Sequence, residues 1–385
     1  MSQEYNFPKY KAAAVQAGSI FRDAPQYFDL KATLEKAVRL IEEAGKEGAR
    51  LIVFPECWLP CFPYWSLDLT IDRRIFADMW AKLLWSSIEV PSPETEVLGR
   101  AAKKANAYVV MGINERDTRF KNSMYNSLLY LDPRGEVIGV HRKICNTVQE
   151  RFFHTPGNGG DNLNAVFSTE IGRLGGSICG EHAQLTLAHH WMAQGIQVHC
   201  SLWPGYKRLE TVTDVTTRAL AFNIGSFAVS AATYIPEQDQ PKNFYPNSLF
   251  SVPQAFRGGS AVVNPYGENV AGPVYDKETI VYGTIDLADV DRSRHAVNLA
   301  GIYSRWDLIN INVRQESYEP VMAIDTYDGL AQPSAEEELQ VLSAQVARLE
   351  QQIARLSREL GARESAGQKK TPEEPLPHLE RAIEQ

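Results

Sequence analysis

A cysteine, a glutamate and a lysine of this chain each stand where an apolar run gives way to polar residues. They are Cys179 in "GRLGGSICGEH", Glu56 in "RLIVFPECWLP" and Lys143 in "VIGVHRKICNTVQER". A thiol at the exit of an apolar strand, with a helical pattern following it, meets helix N-terminal N–H groups. Those groups lower a thiol's pKa and can bind a developing anion. The competing reading is an ordinary core cysteine, since free cysteines are among the most buried residues; the strand-to-helix position favours a nucleophile. Glu56 follows the apolar run "LIVF" and a proline. A carboxylate buried there is costly unless paired or protonated, which raises its pKa and makes it a credible general base. A glutamate capping the next helix is the alternative. Lys143, behind His141 and Arg142, reads on its own as a solvated turn.

His182, His189 and His190 invite a metal reading, and His182 and His189 would lie two turns apart on one helix face. No HExxH motif and no second cluster with ligand spacing accompanies them, so no metal is expected. A G-x-S-x-G elbow, a GxGxxG fingerprint and a P-loop are absent as well, which argues against a serine triad and against a nucleotide cofactor. After Glu56 the run Trp58, Phe62, Tyr64 and Trp65 is interrupted by prolines at 60 and 63. It is expected to wall an apolar pocket rather than to form a helix.

The elements that must carry these residues alternate. Strands are expected at 9–17, in "RLIVFPE", in "AYVVMGINE", and as a hairpin in "NSLLYLDPRGEVIGVHRK". Others are expected in "GRLGGSIC", "VHCSLWP", "SFAVSAATY", the hairpin "GSAVVNPYGENVAGP" and "IVYGTIDL". Helical periodicity appears at 30–49, 93–106, 184–195 and 210–223, so the class is α/β with no internal sequence repeat. Five cysteines in no paired spacing suggest neither a disulfide framework nor a zinc ribbon, and a reducing cytoplasm is the expected setting. The N-terminus lacks a secretion pattern, and no apolar run reaches the length of a membrane span. A net charge of −8 lacks the basic footprint of a nucleic-acid binder, which leaves a small molecule or a protein as partner.

Taken together, the three segments resemble the nitrilase superfamily of carbon–nitrogen hydrolases, which carries a glutamate, a lysine and a cysteine in this chain order. "FPECWLPCFPYW" is similar to the glutamate segment of the true nitrilase branch, "HRKICNTVQER" to the lysine segment with its second glutamate at Glu150, and "GGSICGEH" to the cysteine segment. "HCSLWPG", "GGSAVVNPYGENVAGPVYD", "IDLADVDRSRH" and "GIYSRWD" extend the resemblance over roughly residues 8–315. It implies a four-layer α-β-β-α sandwich, a cysteine nucleophile at Cys179, a base at Glu56, charge stabilisation by Lys143 and an orienting Glu150. It implies no cofactor. Trp58, Phe62, Tyr64 and Trp203 are expected against an apolar substrate, with Gly180, Glu181 and His182 lining the approach. Two positions depart from the pattern: Gly180 stands where many members have tryptophan, and Asn146 where proline is frequent. The first is expected to open room for substrate. The implied reaction turns a nitrile into a carboxylic acid and ammonia. Cyanide dihydratase, an amidase or carbamoylase, and a non-catalytic scaffold are the rivals.

The hydrolase domain is expected to end near residue 320, leaving a tail over 321–385. From Leu339 the apolar residues Leu342, Val346, Leu349, Ile353, Leu356 and Leu360 alternate spacings of three and four. With a capping box at Ser334 and Glu337, this predicts a heptad helix over 335–361 that joins subunits, followed by a disordered end. The expected partner is therefore a second copy of the chain, extending to spiral or filamentous assemblies, with neither nucleic acid nor membrane.

Overall fold

The computed structural model describes residues 7–23, 25–67, 72–241, 254–296 and 303–313, together with Leu339, Ser343 and Val346. The chain divides into two compact units, 1–318 and 319–385. Apart from those three helical residues, the heptad segment 335–361 and the tail beyond it lie outside the described residues.

Two six-stranded sheets make up the first unit. One runs in the order β12 (Thr279–Asp286), β1 (Lys9–Gln16), β2 (Ala49–Val53), β3 (Tyr108–Arg116), β4 (Met124–Leu131), β5 (Val137–Arg142). The other runs β11 (Asn269–Tyr275), β10 (Gly258–Val263), β9 (Phe227–Ala232), β8 (Val198–Trp203), β7 (Gly172–Ile178), β6 (Phe167–Thr169). Starting from β12 in the first sheet and from β6 in the second, the pairings follow the same order: antiparallel, parallel, parallel, antiparallel, antiparallel. The architecture is thus internally duplicated although the sequence shows no repeat.

Alternation along the strands sorts side chains into layers. Ala12, Ala14, Leu51, Val53, Val110, Leu128 and Tyr130 meet Leu174, Ile178, Val198, Cys200, Leu202 and Val229 between the sheets. The other face of the first sheet, with Ala13, Val15, Ile52, Val109, Met111 and Leu129, packs on α1 (Leu30–Lys46) and α3 (Pro93–Ala105). On the second sheet lie α4 (Leu185–Ala193) and α5 (Glu210–Ile224). This is the expected α-β-β-α order. Strands buried on both faces explain the near-continuous apolar runs of β2, β8 and β9.

Two helices lie beyond those expected from sequence. α6 (Ala288–Ala296) follows β12. α2 (Arg73–Ser86) buries Met79, Leu83 and Leu84 against Trp65, Met124 and Phe153. Its apolar residues do recur at helical spacing, but the prolines at 60 and 63 only exclude helix upstream, where Tyr64–Leu67 forms a single 3-10 turn.

After β2 the chain folds back over β3. Leu59 pairs with Ile113, and its N–H donates to Gly112 O at 3.1 Å. Gly112 permits this approach: a Cβ there would stand 2.1 Å from Pro55 O and 2.8 Å from Glu56 Cα. Gly112→Ala is therefore expected to cost about 2–3 kcal/mol through forced displacement of the Pro55–Cys57 turn, read as a lower urea midpoint.

Candidate active site

Glu56, Lys143 and Cys179 follow the last residues of β2, β5 and β7, and these three ends meet at one edge of the sandwich. The connections are abrupt. Cys179 itself has φ +46°, Cys57 directly after Glu56 has φ +45°, and Val148 between Lys143 and Glu150 has φ +40°. Left-handed backbone at a non-glycine residue costs roughly 1–2 kcal/mol. Here it turns each segment sharply enough to bring a polar side chain into the seam between the sheets.

The charged groups form one desolvated cluster. Lys143 Nζ lies 3.0 Å from Glu56 Oε1 and 2.6 Å from Glu150 Oε2, with all three residues buried. Asn126 Nδ2 donates to Glu56 Oε1 at 2.7 Å and to Glu150 Oε1 at 2.8 Å. The Thr147 N–H donates to Glu150 Oε2 at 2.7 Å. His154 Nδ1 stands 3.6 Å from Glu150 Oε1, while its Nε2 donates to Asn114 Oδ1 at 2.8 Å. Glu56 Oε2 is buried with no hydrogen-bond partner among the described residues.

The two carboxylates are driven apart electrostatically. Burial raises Glu56, Lys143 pulls it down and the like charge of Glu150 pushes it up again, leaving its pKa at about 7. Burial also raises Glu150, but Lys143 and His154 together outweigh it, so Glu150 falls below the usual carboxylate range. Burial disfavours the Lys143 ammonium; the two carboxylates outweigh it and hold its pKa well above the ordinary value. At neutral pH the cluster thus has a fixed cation, a fixed anion and a carboxyl poised to gain or lose a proton.

Cys179 is held as a thiol. Burial and the Glu56 charge push its pKa well up, against the opposing pull of Lys143 and the Gly180 N–H. The lowered pKa expected from a helix N-terminus is not found. A five-residue 3-10 turn, Cys179–Ala183, separates the thiol from α4, and desolvation beside two carboxylates dominates. A thiol held in this way would need a base in order to react, and Glu56 Oε2 has no hydrogen-bond partner among the described residues.

The carbon–nitrogen hydrolase family model matches residues 11–295. The chain belongs to the carbon–nitrogen hydrolase family. It is 31% identical to a bifunctional nitrilase/nitrile hydratase of Lupinus angustifolius, with 83% of this chain and 90% of that protein covered. It is 32% identical to nitrilase 2 of Arabidopsis thaliana (82% and 91% covered) and 31% identical to a cyanide hydratase of Penicillium rubens (83% and 90%). Among solved structures, the NitFhit protein of C. elegans has a TM-score of 0.62 at 21% identity, covering 82% of this chain and 69% of that one. Nit3 of Saccharomyces cerevisiae has a TM-score of 0.60 at 23% identity, covering 76% and 95%. These two are likenesses of fold.

Within this carbon–nitrogen hydrolase the residues expected to touch substrate separate into groups. Phe62 and Tyr64 pack with Cys57, Ile235 and Phe256, beside Tyr206. Trp58 is elsewhere: its indole donates to Ala17 O at 2.8 Å and its ring meets Phe54 at 5.0 Å on the helix-covered face. The turn at Cys57 rotates consecutive side chains to different faces, so an aromatic run in sequence is not one wall in space. Gly180 faces the Thr147 side chain. A Cβ there would lie 2.8 Å from Thr147 Oγ1, so the Thr147 side chain occupies that space.

Glu181 is engaged within the protein. Its carboxylate accepts from Ile144 N–H at 2.7 Å and Ile178 N–H at 2.9 Å, and pairs with His141 Nε2 at 3.1 Å. Burial would raise Glu181 and lower His141, but their mutual contact and the backbone hydrogen bonds to each outweigh it, so Glu181 sits below and His141 above its ordinary value. The pair clamps the cysteine turn to the lysine loop. His182 donates from Nδ1 to Cys179 O at 2.8 Å, stacks on Trp203 with centroids 4.5 Å apart, and leaves Nε2 buried and unpartnered among the described residues. Burial lowers its pKa to about 4, so it is neutral. Trp203 donates to Thr217 Oγ1 at 3.2 Å. His189 instead packs on Trp306 and His190 bonds Leu163 O, so the three histidines do not converge.

Asn114, Asn126, His154 and Tyr206 were not anticipated from sequence. The two asparagines face each other across β3 and β4 inside apolar strands, where asparagine is depleted, and that was the available signal. Tyr206 carries no motif, yet its phenol is raised by burial and then by the Cys179 and Glu56 charges. Replacing the buried cation by an apolar residue of similar length, Lys143→Met, leaves two carboxylates unpaired. It is expected to destabilise the protein by about 3–5 kcal/mol in urea denaturation.

Proposed function

We propose that this chain is a nitrilase that converts an organic nitrile and two waters into a carboxylic acid and ammonia, with Cys179 as nucleophile. The observation that carries the reading is a buried thiol beside Glu56, whose Oε2 has no partner among the described residues and whose pKa is about 7, with the Lys143 ammonium fixed between Glu56 and Glu150. Relatives named nitrilase and cyanide hydratase at 31–32% identity support the class. The aromatic cluster of Phe62, Tyr64, Tyr206 and Phe256 supports an organic substituent rather than cyanide.

Glu56 Oε2 takes the thiol proton as sulfur bonds to the nitrile carbon, and returns it to nitrogen to give a thioimidate. Lys143 and the Gly180 N–H stabilise the charge that develops. A water deprotonated by Glu56 adds to the carbon, and the C–N bond breaks with nitrogen protonated, releasing ammonia and leaving a thioester. A second water, activated by Glu56, displaces the sulfur, which regains its proton as the acid leaves. Glu150 holds Lys143 in place throughout. The chemistry needs no metal or organic cofactor.

Ammonia release from a panel of aliphatic and arylaliphatic nitriles, amides and cyanide tests this directly. Organic nitriles are expected to be turned over and Cys179→Ala to lose at least about a thousandfold; turnover of cyanide or amides alone would sink the nitrile assignment. Because Glu56 must be ionised to act, and its pKa lies at about 7, kcat/KM is expected to fall about tenfold per pH unit below that value.

A further inference from the structure

Asn126 lies near the start of β4 and is wholly buried. Its main-chain carbonyl accepts the Lys143 N–H at 2.8 Å, so one residue anchors the lysine's backbone as well as both carboxylates. Only the amide nitrogen can face two carboxylates, since an amide oxygen there would meet like charge. Its two hydrogens serve one carboxylate each. Lys143 Nζ touches the same pair, at Glu56 Oε1 and Glu150 Oε2. Four side chains therefore close a ring in which, among the described residues, Glu56 Oε1 receives two donors and Oε2 receives none.

We propose that Asn126 is a positioning residue for the proton transfer: by bridging Glu56 and Glu150 it commits Glu56 Oε1 to the ring and leaves Oε2 as the atom that accepts the Cys179 proton. The inference rests on Glu56 acting as base for Cys179, and not on the identity of the nitrile. Without the bridge the Glu56 carboxylate is free to turn and offer either oxygen to Lys143. A neutral donor suits the position. It steadies the ionised carboxylate, whereas a second cation would stabilise that form so strongly that the base became too weak to take a thiol proton. The charged and titratable groups around Glu56 are Lys143 from the loop after β5, Glu150 from the turn after it, and Cys57 and Tyr64 from its own loop. Cys179 from the end of β7 and Tyr206 from the loop after β8 complete the set, with His154 behind Glu150.

The test is the pH dependence of Cys179 alkylation by iodoacetamide on the full-length protein, read by mass spectrometry of the Cys179 peptide. Sulfur displaces iodide and its proton passes to Glu56, so the rate follows Glu56 ionisation without any nitrile. Wild type is expected to titrate near pH 7. In Asn126→Leu the ionised form loses a donor, and the midpoint is expected to move up by about one unit, with alkylation at pH 6 slowed about tenfold. Glu150→Gln removes a like charge and is expected to move the midpoint down, which fixes the direction of the scale. Asn126→Ser, expected to show the same upward shift, serves if the leucine variant does not fold, as judged by circular dichroism. A folded Asn126 variant with an unmoved midpoint overturns the proposal, since a merely structural role alters stability and leaves the titration where it was. A wild-type profile with no step near 7 overturns Glu56 as base and the proposal with it. A shifted midpoint in a protein that turns over no nitrile supports Asn126 and overturns only the substrate reading.

Discussion

The ammonium of Lys143, removed from water between Glu56 and Glu150, is the interaction on which the arrangement depends. An isolated ion in a protein interior costs several kcal/mol, so neither the lysine nor either carboxylate is tolerable at this depth alone. Their mutual contacts at 2.6 and 3.0 Å, with the donors from Asn126 and Thr147, make the cluster stable as a unit. The same desolvation sets its chemistry. Burial alone would discharge all three; their pairing holds Glu150 and Lys143 ionised against it, and the balance leaves Glu56 near the point of exchange.

Holding such a cluster demands close backbone approach. Gly112 lets the Glu56 turn rest on β3, left-handed residues at 57, 148 and 179 bend each connection inward, and Glu181 clamps the loop after β5 to the end of β7. The sheets supply rigidity: strands from both sheets end at the same edge, so groups more than a hundred residues apart in sequence meet in one seam. The thiol enters this setting protonated. In the proposed reaction, activation therefore belongs to the pair formed by Cys179 and Glu56 rather than to the cysteine alone.

Much of the frame was legible from periodicity, because alternating and helical apolar patterns report burial within a single element. The strand ends carrying Glu56 and Cys179 stood out for the same reason: a polar or nucleophilic residue directly after a buried run is locally anomalous. Lys143 was not separable from a surface turn by its own neighbours, and only the resemblance to related hydrolases singled it out. Trp58, Gly180 and Glu181 show the limit from the other side. Their types did not reveal their surroundings: a left-handed turn sends the indole to the outer face, Thr147 fills the space beside Gly180, and His141 with two N–H groups engages the glutamate.

The sequence by itself determined the α/β class, the strand ends that carry Glu56 and Cys179, and the family to which those segments correspond. These follow from interactions between residues close along the chain and from motif spacing. Only the tertiary structure decided which oxygen of Glu56 is free, that the Cys179 thiol is held protonated, and that Asn126 ties the two carboxylates together. Those properties arise from desolvation and from charges brought within hydrogen-bond distance by separate strands, and a linear sequence does not encode distance across a sheet.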